Sequence, residues 1–282
     1  MRTRGPVPPD PDRPADPDGL AALLPVAMAA VDLGAELLRG GRPGTLTAKG
    51  DRDMASEVDF AVERAVRERL GRETPGIGFL GEEEGPRDAG AELVWVLDPV
   101  DGTVNFVHGI PLVAVSLGLL RAGRPVLGVI DVPLLGERYW AVEGAGAYAD
   151  GERLTASRPA GLGEAVVALG DYAVGTGAAA LNRERLAMTA ALVPRAQRLR
   201  MLGTAAVDLA WLAAGRLDAL VMFSNKPWDV AAGVVLAREA GARVVDRDGS
   251  EHGLAATATI AATSPVLDEI LALVPAPTPP AC

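Results

Sequence analysis

Trp95-Val96-Leu97-Asp98-Pro99-Val100-Asp101-Gly102-Thr103 is an apolar run that leads directly into a turn holding two carboxylates three residues apart. A strand ending there would fix Asp98, Pro99 would stiffen the turn, and Gly102 would allow a close backbone approach, leaving the following amides free to face an anion. Carboxylates are hard oxygen donors, suited to Mg²⁺ or Mn²⁺ and not to zinc. Two more acidic positions border apolar segments. Gly81-Glu82-Glu83-Glu84 follows the apolar residues 77–80, and Lys226-Pro227-Trp228-Asp229 precedes the apolar residues 230–240. Asp229 thereby falls at a helix N-terminus, where the dipole favours a carboxylate. Taken singly, each feature also has a purely architectural reading: Asp, Pro and Gly make turns, a run of Glu makes a solvated loop, and Asp caps a helix.

Such residues act only if regular elements hold them. Apolar residues at helical spacing predict a helix over 20–39, with Asp18 as its cap, Pro25 in its first turns and Gly40-Gly41 as its stop. A second helix fits 57–70, with Val58, Ala61, Val62, Ala65, Val66 and Leu70 on one face, Ser56 at the cap and Gly71 at the end. Short β-rich runs follow at 94–97, 113–120, 126–131 and 139–142, and read as a sheet. The second half predicts helices at 183–192, 205–214 and 230–240, and strands at 217–223, 242–245 and 257–262. This mixture is an α/β class built of helix and sheet layers. The expected division is a disordered tail over 1–19, an N-terminal half over 20–157, a C-terminal half over 158–273 and a frayed end over 274–282, with no long linker between the halves.

Composition removes several function classes. The chain has 282 residues, of which 37 are acidic and 27 basic, for a net charge of −10, so no broad positive surface exists to track nucleic acid. The single cysteine, Cys282, excludes an intrachain disulfide and a thiolate metal cluster, and leaves oxygen ligands and hydroxyls to do chemistry. Lys49 and Lys226 are the only lysines, and His108 and His252 the only histidines. Six prolines among the first nineteen residues, with no apolar run, resemble no signal or transit peptide. No unbroken apolar stretch nears the roughly 20 residues that span a bilayer, so a soluble, cytoplasmic protein without membrane contact is expected.

Across residues 20–273 the chain resembles the inositol monophosphatase family of Mg²⁺-dependent phosphomonoesterases. Gly81-Glu82-Glu83 with Trp95-Val96-Leu97-Asp98-Pro99-Val100-Asp101-Gly102-Thr103-Val104-Asn105-Phe106 is similar to the family's first signature, and Pro227-Trp228-Asp229-Val230-Ala231-Ala232-Gly233 to its second. Lys49-Gly50-Asp51, Ser56-Glu57-Val58-Asp59 and Gly203-Thr204-Ala205-Ala206 resemble further family segments in the same order. The resemblance implies a five-layer α-β-α-β-α sandwich with the site between its halves. It implies that Glu82, Asp98 and the Val100 carbonyl hold one Mg²⁺, that Asp98, Asp101 and Asp229 hold a second, and that Glu82 serves a weaker third. Two such ions can clamp an in-line phosphoryl displacement and generate the attacking hydroxide. By the same resemblance Thr103 and Glu82 orient the attacking water, Asp59 steadies Thr103, Lys49 offsets charge near the metals, and the Gly102 and Thr103 amides hold phosphate. Asp101, Gly203, Thr204 and Ala205 would face the substrate. A homodimer is the family tendency.

One position departs from the pattern. Inositol-phosphate hydrolases of the family carry an acid seven residues before the second-signature Asp, and here that residue is Met222, a thioether that cannot bind a polyol as a carboxylate does. The expected activity is therefore hydrolysis of a small phosphorylated metabolite such as a sugar, cyclitol, nucleoside or inositol-like phosphate. The alternatives are histidinol-phosphate phosphatase and a regulatory or scaffold member with little catalysis.

Overall fold

A computed structural model describes residues 19–48, 54–88, 90–223 and 226–275. In chain order the first half holds α1 (Leu24–Gly40), β1 (Leu46–Ala48), β2 (Met54–Ser56), α2 (Glu57–Glu73), β3 (Gly78–Gly81), β4 (Gly85–Arg87), β5 (Leu93–Asp101) and α3 (Thr103–Val107). Strands β6 (Ala114–Arg121), β7 (Arg124–Val132), β8 (Glu137–Val142), β9 (Gly146–Ala149) and β10 (Glu152–Arg153) continue it. The second half holds β11 (Val166–Leu169), α4 (Ala178–Leu192), β12 (Arg198–Arg200), α5 (Ala205–Ala213), β13 (Ala219–Phe223), α6 (Pro227–Glu239), β14 (Arg243–Val245), β15 (Ala258–Ala262) and α7 (Val266–Leu271).

Three sheets form among the described residues: one of eight strands in the order β10-β9-β8-β7-β6-β5-β3-β4, one of five in the order β12-β11-β13-β15-β14, and the antiparallel pair β1-β2. The apolar faces of α1 and α2 close one side of the large sheet, meeting Trp95, Leu97, Val115, Leu117 and Leu127. Helices α5 and α6 fill the space between the sheets. On the far side of the small sheet, Met188 and Leu192 of α4 and Val266, Leu267 and Ile270 of α7 complete the third helical layer. The result is the α-β-α-β-α sandwich, an α/β fold.

Helix α6 is apolar on every side because it has sheet on both sides: Val230 through Ala237 are all buried. Its contact with the large sheet is unusually close. A Cβ at Gly128 of β7 would lie 2.4 Å from the Ala232 carbonyl oxygen, and one at Gly118 of β6 would lie 2.8 Å from the Ala231 Cβ. Those two glycines let the helix backbone rest on the strands, which carries the N-terminus of α6 to the end of β5.

Several boundaries differ from the sequence reading. Gly71 does not end α2, which runs two residues further to Glu73, because Leu70 is buried in the core and tertiary packing outweighs the glycine's poor helix propensity. The residue preceding the first helical turn is Gly19 in a left-handed conformation, and Asp18 lies outside the described residues. Residues 20–40 also form one continuous helical segment long and apolar enough, by length and composition, to cross a membrane. Asp32 and Glu36 interrupt its apolar residues, so it contains no unbroken apolar run of that length; it packs Ala27, Ala30, Val31, Gly34, Ala35 and Leu38 inward.

Candidate active site

Strand β5 would ordinarily put residues three apart on opposite faces. Val94 and Val96 pack toward Ala231 of α6, whereas Trp95 and Leu97 face α1 and α2. Beyond Asp98 the register with β6 slips by one residue, a β-bulge containing Pro99, which has no N–H to give a ladder. After the bulge it is Val100 that packs with Trp95 and Leu97. Asp98 and Asp101 thus share the inner face of the sheet, toward α5 and α6.

Both carboxylates are buried, with 3% and 8% of their surfaces exposed. Asp98 accepts from the Val100 N–H at 3.1 Å. Asp101 is held from the second half of the chain: one oxygen accepts from the Thr204 hydroxyl and from the Ala206 N–H, each at 2.6 Å. Thr204 caps α5, so the helix start and the carboxylate are fixed by the same side chain. Asn105 ties the connection down by donating to the carbonyls of Leu112 at 2.9 Å and Leu202 at 2.8 Å. Gly102 turns the chain between Asp101 and Thr103 at φ 89°, where a Cβ would stand 2.9 Å from the Leu112 carbonyl oxygen. Opposite, Asp229 occupies the first turn of α6 and accepts from the Lys226 N–H at 2.8 Å.

Burial, together with the charges of Glu82, Asp101, Asp229 and Asp59, holds the Asp98 carboxyl well above the usual carboxylate range. Burial likewise lifts Asp101 to about 6, against its bonds from Thr204 and Ala206. Asp229 is lifted to about 7 by burial, opposed by its bond from Lys226 and reinforced by Asp101 and Glu82. Among the described residues no ion pair reaches Asp98, Asp101 or Asp229. No three acidic or imidazole side chains among the described residues are drawn together tightly enough to hold one ion as they stand. The donor set is nonetheless of one kind, several buried carboxylates raising one another's pKa, and it fits a hard divalent cation.

Glu82 stands half-buried in the turn between β3 and β4. The Thr103 hydroxyl lies 3.1 Å from an Asp59 carboxylate oxygen and 3.0 Å from the Val100 carbonyl. Asp59 in turn accepts from the Ser56 N–H at 2.9 Å and from its hydroxyl, closing the capping box of α2. Capping and contact with Thr103 are therefore one arrangement. Gly203, Thr204 and Ala205 lead into α5 beside Asp101, and Met222 is half-buried on β13 against the core between the sheets. Lys49, Gly50, Asp51, Ser224 and Asn225 lie outside the described residues. His108 is an exposed residue at the end of α3.

Three acids of this region escape a motif search. Asp208 on α5 is 2% exposed, and burial with the charges of Asp101 and Asp171 raises its pKa strongly. A lone carboxylate in the otherwise apolar Ala205–Ala213 is the signal that could have found it. Asp171 follows Gly170, whose own Cβ would meet Met222 Cγ at 2.6 Å. Glu63 lies fully buried on α2 beneath the Glu82 turn.

The fold and the sequence are similar to those of known proteins. The profile of the Inositol monophosphatase family matches residues 20–275. Inositol-1-monophosphatase ImpA of Mycolicibacterium smegmatis is 36% identical over 260 residues, covering 92% of this chain and 94% of that protein. A fructose-1,6-bisphosphatase/inositol-1-monophosphatase of Thermotoga maritima is 35% identical over 239 residues, covering 84% and 89%. Among solved structures, the extragenic suppressor protein suhB of Bartonella henselae superposes with a TM-score of 0.84 at 30% identity, covering 90% of this chain and 99% of that one. The chain belongs to the inositol monophosphatase family and is a phosphoric monoester hydrolase.

Proposed function

We propose that the chain is a Mg²⁺-dependent phosphomonoesterase acting on a small phosphorylated metabolite. The observation that carries this reading is the set of electrostatically coupled carboxylates, buried Asp98 and Asp101 on one face of β5 after its bulge and half-buried Asp229 at the start of α6. Glu82, Asp98, the Val100 carbonyl, Asp101 and Asp229 would hold two or three ions, Mn²⁺ being an alternative to Mg²⁺. When bound, the metal supplies charge neutralisation and an acidified water as nucleophile. The protein's own part is positional. Asp59 holds the Thr103 hydroxyl, which would orient that water with Glu82; by the family resemblance Lys49 would offset charge near the metals and the Gly102 and Thr103 amides would face the phosphate.

Gly203, Thr204, Ala205 and Met222 would border the leaving alcohol. Met222 weighs against a polyol held by a carboxylate at that position. Asp171, one residue beyond Gly170, supplies a solvent-exposed acid nearby, so an amino-bearing phosphate such as histidinol phosphate stands as the second reading. A homodimer, on the family resemblance alone, completes the proposal, with a cytoplasmic location proposed beside it.

The deciding experiment is phosphate release from a panel of inositol, sugar, nucleoside and amino-alcohol phosphates, with and without Mg²⁺, for wild type and Asp98→Asn. Release that needs Mg²⁺ and is lost in the variant is the expected result. No release from any ester by a folded wild-type chain would turn the reading toward a regulatory or scaffold role.

A further inference from the structure

A carboxylate buried without partners is costly, so a fully buried Glu63 requires an explanation. Its partners are the backbone of the acidic turn. One oxygen accepts from the Glu83 N–H at 2.8 Å, and the other accepts from the Glu84 N–H at 2.9 Å and from the Arg67 guanidinium at 2.8 Å. Arg67 extends the clasp, donating to the Gly85 carbonyl at 2.7 Å and lying 4.7 Å from the centre of the Phe79 ring. Room for the carboxylate is made at Gly81, where a Cβ would stand 2.3 Å from the Glu63 carboxyl. Successive N–H groups converging on one anion form a rigid seat. The residue immediately before them is Glu82, which lies in electrostatic reach of Asp98, Asp101 and Asp229.

We infer that Glu63 is a positioning residue for Glu82: by clasping the amides of residues 83 and 84 from α2, it sets the backbone from which Glu82 enters the acidic site. The inference rests on the metal-dependent reading proposed above. It explains how three consecutive glutamates are accommodated in a tight turn, since a fourth carboxylate beneath them takes up the amides of two of them.

The test is Glu63→Gln, which keeps the shape but sets an amide NH₂ against one backbone N–H. Outer partners of ligating groups commonly change metal affinity by about 10–100-fold. The Mg²⁺ concentration for half-maximal phosphate release should rise about tenfold, with KM for the ester unchanged at saturating Mg²⁺. Calorimetric titration with Mg²⁺ alone should show the same weakening without turnover. Gly81→Ala, which keeps Glu63 and displaces the turn, should act in the same direction and carries the test if Glu63→Gln does not fold. Unchanged Mg²⁺ constants in the folded variants overturn the inference, as does failure of both variants to fold, which would make the clasp purely structural. A wild-type chain that neither binds Mg²⁺ nor hydrolyses any ester overturns the functional reading first, and this inference with it.

Discussion

Protons and a divalent cation must compete for Asp101 and Asp229. With folded pKa values of about 6 and about 7, both are raised above the ordinary 3.8. Each must lose its proton to serve as a ligand, which makes metal binding pH-dependent. At pH 6 a group with a pKa of about 7 weakens apparent affinity about elevenfold, and one with a pKa of about 6 weakens it about twofold. At pH 8 both factors are close to one. The Mg²⁺ concentration giving half the maximal thermal shift should therefore rise about twentyfold between pH 8 and pH 6. The same groups set the stability of the EDTA-treated chain in the opposite sense. A raised folded pKa adds stability below the ordinary carboxylate range, and that contribution is lost as pH rises through about 6 and about 7. Differential scanning fluorimetry over a Mg²⁺ series at both pH values reads both effects. Half-saturation that differs by less than a factor of two would refute the placement of these carboxylates around one cation site.

Other consequences are separable from metal binding. His252 is 3% exposed, and burial reinforced by the Arg238 charge lowers its pKa to about 4 from 6.5. The unfolded chain therefore takes up the proton first, and about 3 kcal/mol of stability should be lost as pH falls from about 6.5 to about 4. Urea unfolding across that range should show a shallower loss in His252→Gln, and an identical slope would count against it. Gly128→Ala drives a methyl to within 2.4 Å of the Ala232 carbonyl oxygen and should lower stability by about 1–3 kcal/mol. Gly76→Ala, with nothing within 4 Å, is the control, and equal melting temperatures for the two would contradict the tight α6 contact. Asp59→Asn disturbs the partner of Thr103 and should reduce kcat about 100-fold with little change in KM. A fully active variant would reduce Asp59 to a helix cap.

The layered fold was legible because its periods are clean. Apolar spacing on α2 and the short β-rich runs report packing that each segment makes with its immediate neighbours. The acids at 82, 98, 101 and 229 were legible as types beside element ends. What joins Asp98 to Asp101 was not: on an unbroken strand they diverge, and only the one-residue slip against β6 puts them on a common face. That slip depends on pairing with residues 114 and 116, which local pattern does not encode. Glu63 and Asp208 were hidden for the related reason that each sits inside a helix whose spacing looks complete without it.

Bringing like charges together works against folding, and the architecture shows what offsets it. Asp98 and Asp101 belong to the first half of the chain, and Asp229 with the Thr204 and Ala206 donors belongs to the second. Mutual repulsion would separate the halves at the site. Opposing it, α6 buries Val230 through Ala237 between the sheets, with its backbone against Gly118 and Gly128. An apolar helix in direct contact with both sheets cannot withdraw its N-terminus without exposing that surface. The donors at Thr204, Ala206 and Lys226 offset only part of the cost, so apolar packing holds the carboxylates in place, and their pKa values stay raised because relaxing them would open the core. A cation bound among them would relieve the repulsion that the core otherwise withstands, which ties metal affinity to the integrity of the α6 contact. Gly128→Ala should consequently weaken Mg²⁺ binding as well as lower the melting temperature. If calorimetry shows its Mg²⁺ affinity unchanged in the folded variant, the coupling between that packing and the site is wrong.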